Sequence, residues 1–425
     1  MPAQKINIVY IIPHDLGQQL GCYGDESVES PNLDELAENG VRFENYFCAS
    51  TPCSPSRGCI MTGRYAHNNG LMGLANRRPD TIHDWSLPEK EKTIVDYLND
   101  AGYNTYHIGL QHERRDPFQN RYKYSDPYDR RCEVVAEKVV KLINSDDIKQ
   151  PFYLNIGFSE VHLPFERKEY RPDNPDKVYV PPYLSDNKYV REEFAKFHGS
   201  IKFMDKAVGK IINVLNESRF KDNTVVIFTT DHGIPFPRAK STLYDPGIKT
   251  ALIMRFPPGM VENGIYKELV NNIDLTPTLL EMIGIEIPRY IQGKSFYKLL
   301  TGKQYTKNEY IFTEKNFHDV YDPIRCVRTE GYKYIRSFER IKNLPLPADI
   351  QRSIASRQLI QGANDPRPEE ELYNLKKDPN ELTNLIDEPT YQDIRKELSN
   401  TLLKWMKDTE DPLLKGPISL SKRVK

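Results

Sequence analysis

Residues 6–12 (Ile-Asn-Ile-Val-Tyr-Ile-Ile) form a short, largely apolar and β-branched run, the pattern of a parallel strand buried on both faces. Similar runs at 41–47, 103–108, 152–158, 224–229 and 251–256 predict further strands. Between them the period changes. Ser30-Pro31 opens a helix through Glu38, with Gly40 beyond its end. Helical spacing recurs at 93–101, stopping at Gly102, at 132–143, within 192–215 and at 274–283. Strands alternating with helices predict an α/β fold: a large, mostly parallel central sheet with helices on both faces. Its ligands are then expected at the carboxyl ends of the strands. After about residue 305 the pattern shifts to short antiparallel strands at 310–313, 324–328 and 333–336. A Glu-Leu-Tyr-Asn-Leu run at 371–375 and a helix over 391–407 follow. We therefore expect a principal domain over 1–305 and a smaller α+β subdomain with a short antiparallel sheet over 306–425. The Pro-, Tyr- and charge-rich segment 165–186 is expected to be a surface excursion.

Composition narrows the function classes. Of 425 residues, 59 are Lys or Arg and 60 are Asp or Glu. Without a basic excess, nucleic acid is not an expected partner. No apolar run approaches the ~20 residues that span a bilayer, so no membrane partner is expected. The 26 Tyr and 17 Phe supply ample core material, which argues against disorder. The first strand follows the N-terminus directly, without a signal-peptide pattern, so a cytoplasmic location is expected unless a leader was trimmed. Six cysteines are too sparse for a disulfide scaffold and lack zinc spacing, and they read as reduced thiols. Four of them fall within residues 22–59, which draws attention to that segment.

Residues 53–64 read Cys-Ser-Pro-Ser-Arg-Gly-Cys-Ile-Met-Thr-Gly-Arg. This resembles the sulfatase signature, C-x-P-S-R followed by an apolar pair and T-G-R. Gly21-Cys-Tyr-Gly24, Ser30-Pro-Asn-Leu33, Gly102-Tyr-Asn-Thr105, Val161-His162, Asp231-His-Gly233 and the pair Glu371-Leu-Tyr-Asn-Leu and Asp378-Pro-Asn-Glu381 follow in the family's order. The resemblance implies an alkaline-phosphatase-like fold and a sulfuric ester hydrolase. It also implies a maturation enzyme as partner, which oxidises Cys53 to formylglycine (3-oxoalanine). The aldehyde hydrates, one hydroxyl attacks sulfur and displaces the alcohol or amine, and collapse to the aldehyde expels sulfate. The residues suit this chemistry. Pro55 belongs in a first helical turn, which places Cys53 at a helix N-terminus where backbone N–H groups favour an anion. Arg57 lies one turn further on and supplies a cation.

The resemblance also implies one divalent metal, held by His14 and Asp15 after the first strand, by Asp231 and His232 after a later one, and by converted Cys53. Calcium is expected from the family. His14 stands where an aspartate is usual, and imidazole donors bring Mn²⁺ or Zn²⁺ into play. His162, in Ser-Glu-Val-His-Leu-Pro, corresponds to a histidine that contacts the sulfate and leaving group and suits general-acid work. His112 matches the histidine of Gly-Lys-x-His, but the lysine position is Leu110. Its cation is then absent or comes from Arg114, Arg115 or another group. Lys240 resembles a sulfate-binding lysine, and His67 a recurrent position near the substrate. His83, His107, His198 and His318 carry no motif and read as surface or core histidines. The run from Asp231 to Gly247, with Asn69-Gly-Leu-Met-Gly-Leu74, looks most like the heparan N-sulfatase (sulfamidase) branch. That implies a sulfated amino sugar, a glycosaminoglycan constituent, as substrate. Arg77, Arg78, Arg114 and Arg115 are candidates to read its other anionic groups. Two alternatives remain: a phosphodiesterase or phosphonate monoester hydrolase of the same superfamily, and a catalytically inactive sulfatase-like binding protein.

Overall fold

The computed structural model describes residues 6–75, 85–339, 341, 345–359 and 367–418. The strands up to residue 271 are β1 (Asn7–Ile12), β2 (Val41–Phe43), β3 (Tyr46–Phe47), β4 (Asn104–Gly109), β5 (Tyr124–Asp126), β6 (Phe152–Gly157), β7 (Thr224–Thr229), β8 (Leu252–Arg255), β9 (Gly264–Tyr266) and β10 (Val270–Asn271). Eight of them form one sheet in the order β5-β4-β6-β1-β7-β8-β2-β9. The five from β5 to β7 run parallel, while β8 is antiparallel to both its neighbours. Central β1 is buried along its whole length, and its side chains alternate between two cores. Val9 and Ile11 face the helices Pro31–Glu38, Cys132–Asn144 and Lys188–Glu217. Ile8, Tyr10 and Ile12 face Cys53–Thr62, Ile94–Asp100 and Leu275–Met282. This two-sided cover is why β1 reads as a continuous apolar run.

A second, fully antiparallel sheet has the order β11 (Ile311–Phe317), β12 (Tyr321–Arg328), β13 (Tyr332–Ser337), β14 (Glu370–Asn374). Helix Gln392–Asp408 buries Leu398, Leu402, Trp405 and Met406 against it. Among the described residues no helix is long and apolar enough to cross a membrane.

Two sequence expectations change. The run 41–47 is two strands, because the polar pair Glu44-Asn45 breaks the alternation. Val41–Phe43 joins the large sheet, and Tyr46–Phe47 pairs with β10. The segment 165–186 is no mere excursion. Phe165, Tyr170, Val178 and Leu184 are buried in the core that it shares with helix Lys188–Glu217. Edge strands β5 and β9 lacked an apolar run long enough to announce them.

Candidate active site

Parallel order places the carboxyl ends of β4, β6, β1 and β7 side by side, and the segments leaving them carry the polar residues. After β1 come Pro13, His14 and Asp15. His14 N–H donates to Glu160 O (2.7 Å) and its carbonyl accepts from Val161 N–H (2.8 Å), tying the β1 and β6 exits together. Asp15 adopts a positive φ of 57°, a conformation that a short polar side chain tolerates and that recurs at functional sites. Its backbone N–H donates to Asp231 Oδ1 (3.0 Å). The His14 and His162 rings meet edge to face at 4.8 Å.

Cys53 is the first residue of helix Cys53–Thr62, whose ten residues are all buried. Its sulfur lies 3.2 Å from His232 Nε2. His232 donates from Nδ1 to Gly233 O (3.0 Å), which leaves Nε2 to face the Cys53 sulfur and Asp15 Oδ1 at 2.9 Å. His14 Nδ1 is 2.5 Å from Asp15 Oδ1 and 3.3 Å from Asp231 Oδ2. One donor atom from each of His14, Asp15, Cys53, Asp231 and His232 lies within 4.8 Å of all the others. Burial opposes charge on each group, but their mutual attraction prevails. His14 is pushed up to about 9 by Asp231, Cys53 and Asp15. Burial alone would raise the Cys53 thiol, yet His14, His232 and Lys240 hold it well below its usual value. Two carboxylates, two imidazoles and a thiolate that keep their protons only on the imidazoles form a fitting donor set for a divalent cation. Such an ion would replace the proton on His232 Nε2.

Arg57 does not reach back to the sulfur. Nε donates to Asp231 Oδ2 (3.1 Å) and Nη2 to Pro13 O (2.9 Å), while Nη1 is buried without a partner. Lys240, only 2 % exposed, is not a solvated lysine. Nζ donates to Asp15 Oδ2 (2.5 Å) and Asp349 Oδ2 (2.5 Å) and lies 3.1 Å from His162 Nε2. His162 donates from Nδ1 to Leu163 O (2.6 Å), so Nε2 faces inward. Burial and Lys240 together keep that imidazole below its usual value. His112 packs at 5.9 Å from the His14 ring, its Nδ1 buried without a partner, and the ring interacts with Cys53.

The remaining candidates are placed differently. The His67 side chain is buried beside the second sheet, where Nδ1 pairs with Glu314 Oε1 at 2.9 Å and the ring packs on Trp405. None of its described contacts joins it to the Cys53 group. Arg114 is buried and spends its guanidinium on the carbonyls of Leu87, Pro88 and Glu91, so it neither reads substrate nor replaces a lysine. Arg115 is exposed, and Arg77, Arg78 and His83 lie outside the described residues. Leu110 is buried and supplies no cation. His107 and His198 are buried, as expected of core histidines. His318, read as an ordinary histidine, is instead buried against Cys53. Its Nδ1 pairs with Asp319 Oδ2 (2.9 Å) and its Nε2 has no hydrogen-bond partner. The one available signal was that His318-Asp319 repeats, at a strand end, the His-Asp order of His14-Asp15. Asp349 follows Pro347 at a short helix start and carries no pattern at all.

Comparison with known proteins decides the family. The profile described as Sulfatase matches residues 6–285. The chain belongs to the sulfatase family. A second profile, N-sulphoglucosamine sulphohydrolase, C-terminal, matches residues 236–353 of this sulfatase. An ulvan-active sulfatase of Formosa agariphila is 29% identical, with 95% of this chain and 75% of the relative covered. Human N-sulphoglucosamine sulphohydrolase is 26% identical, covering 98% of this chain and 92% of its own. Among solved structures, a Bacteroides thetaiotaomicron protein described with the metabolism of multiple glycosaminoglycans superposes with a TM-score of 0.78. It is 21% identical and covers 99% of this chain and 100% of its own. The sulfatase thus shares its fold with that structure over nearly the whole chain, the antiparallel sheet included.

Proposed function

We propose that this sulfatase hydrolyses a sulfate ester or sulfamate on a sulfated amino sugar, with residue 53 acting as formylglycine. The observation that carries the reading is the five-residue donor cluster with Cys53 at a helix N-terminus inside it. The human relative's name adds N-sulfated glucosamine as the substrate class to test first. When bound, a divalent cation supplies Lewis-acid stabilisation of the oxygen on residue 53 and of the sulfate oxygens. Asp15, Asp231 and His232 would hold it. His14 Nδ1, so close to Asp15 Oδ1, orients that carboxylate as a hydrogen-bond donor. The donor set then stays oxygen-rich, and calcium is the proposed ion. His162 Nε2 and Lys240 Nζ lie on the opposite side of Asp15 and would serve the leaving group and the sulfate.

The test begins with the mass of the tryptic peptide covering residues 43–57 from a host carrying a sulfatase-maturation enzyme. Aldehyde at residue 53, turnover of N-sulfated or 6-O-sulfated glucosamine and calcium in the purified protein are expected. Aldehyde and metal with activity only on phosphoesters would overturn the substrate assignment. Manganese or zinc in stoichiometric amount would overturn the ion.

A further inference from the structure

A carboxylate is out of place in a pocket for sulfate. Asp349 nevertheless puts Oδ2 at 2.5 Å from Lys240 Nζ and 3.2 Å from His162 Nε2. Its placement is fixed locally. Oδ1 accepts from Ile350 N–H (2.9 Å), and Ile350 is fully buried. The preceding Ala348 N–H donates to Asp319 Oδ2 (2.8 Å), on the hairpin that also delivers His318. Asp15, His162 and Asp349 could outline a second metal site. The Lys240 ammonium already contacts all three groups and serves as their resident cation. Asp349 Oδ2 is thus a preoriented acceptor beside His162 Nε2, the atom proposed to serve the leaving group.

We propose that Asp349 selects a nitrogen leaving group over an oxygen one, so that this sulfatase acts preferentially on sulfamates of amino sugars. This rests on the sulfatase reading above and refines it. His162 Nε2 and Asp349 Oδ2 are 3.2 Å apart, so a bridging atom seated between them would face both. A sulfate ester offers only lone pairs on its bridging oxygen, which face the carboxylate unfavourably. A sulfamate nitrogen carries a hydrogen that the carboxylate accepts. The net reaction is R–NH–SO₃⁻ plus water giving R–NH₂ and HSO₄⁻. The S–N bond breaks and its electron pair stays on nitrogen, which takes the proton that His162 carries on Nε2 in its imidazolium form, while Nδ1–H stays on the Leu163 carbonyl. The water consumed supplies the new S–O bond and returns that proton. The amine released is protonated in water, and a carboxylate beside it stabilises the ammonium. Sites built to hydrogen-bond a particular group reject analogues lacking it far more strongly than apolar pockets reject size differences.

The experiment uses the full chain with formylglycine confirmed at residue 53. kcat/KM is measured on N-sulfoglucosamine and on glucosamine 6-O-sulfate, for wild type, Asp349→Asn and Asp349→Glu. Wild type is expected to prefer the sulfamate. Asp349→Asn is expected to lower the sulfamate-to-ester ratio at least 10-fold, and Asp349→Glu to recover part of it. An unchanged ratio, or equal losses on both substrates, overturns the proposal. A variant-free measurement stands beside it: glucosamine should inhibit wild type at least 10-fold more tightly than glucose, and equal inhibition overturns the proposal. Wild type that cleaves only the ester overturns the role of Asp349 and leaves the sulfatase reading standing. Aldehyde-bearing protein inert on both sugars overturns that reading itself.

Discussion

Cys53 and Arg57 are one helical turn apart, yet their side chains serve different partners. The sulfur meets His232, and the guanidinium binds Asp231 and the Pro13 carbonyl. The proposed nucleophile is therefore separable from the scaffold. Cys53→Ala is expected to cut turnover roughly 10⁴-fold or more, with melting temperature and calorimetric substrate binding close to wild type. Residual turnover near wild type would remove the nucleophile assignment. His162 is separable in another way, because its inward Nε2 serves whatever leaves. His162→Ala should cost a poor leaving group, such as an unactivated sugar sulfate, on the order of 10²-fold, and an activated aryl sulfate much less. A loss independent of leaving group would deny His162 the proton-donor role. At this scale the sequence was most informative where chemistry is linear. The run 53–64 and the dipeptides 14–15 and 231–232 each sit directly beyond a strand or at a helix start. His318 and Asp349 were illegible because they reach Cys53 and Lys240 only when the second sheet folds onto the first.

Elements aim these residues, and β4 and β6 do so through an unusually close backbone approach. Gly109 has a φ of +95°, and a Cβ there would lie 2.1 Å from the Gly157 carbonyl oxygen. A Cβ on Gly157 would lie 1.9 Å from the Leu110 carbonyl oxygen. Neither contact can be relieved by a side-chain rotation, so substitution must part the two strand ends. His112 leaves one of those ends and His162 the other. Gly157→Ala is accordingly expected to lower the melting temperature by several degrees and kcat/KM by roughly 10²-fold, since displacements of about 1 Å at a reacting centre have that effect. Scanning calorimetry beside steady-state kinetics checks it, and an unchanged variant would show that the approach positions nothing. Central strands were legible because burial on both faces leaves a continuous apolar run. The edge strands Tyr124–Asp126 and Gly264–Tyr266 are partly solvated and short, so their pairing comes from neighbours and not from their own pattern.

The fold closes over Cys53. Cys53 is 3 % exposed and the signature helix around it is buried throughout, so an enzyme that modifies Cys53 must meet the chain before it folds. Purified, folded thiol protein is expected to resist conversion by the maturation enzyme, while the same protein presented unfolded is converted. Equal conversion of both would contradict this burial. The second sheet is tied to helix Ala66–Asn69 by a buried ionic network. Glu314 accepts from His67 Nδ1 (2.9 Å) and Asn316 Nδ2 (2.9 Å) and lies 3.4 Å from Arg325 Nη2, whose guanidinium also grips Asp411. Burial alone would raise the Glu314 carboxyl, but His67 and Arg325 bring it down to about 2, from an ordinary 4.5. A carboxyl depressed on folding stabilises above its unfolded value and loses that contribution as pH falls through the folded one. The contribution, on the order of 3 kcal/mol, is therefore complete above pH ~4.5 and decays toward pH ~2. Urea unfolding of wild type and Glu314→Gln should show wild type ahead at pH ~5. The margin should narrow steadily below pH ~4.5. One that persists undiminished at pH ~3 would mean that the charge of Glu314 does not hold the second sheet to helix Ala66–Asn69 and that its hydrogen bonds to His67 and Asn316 suffice.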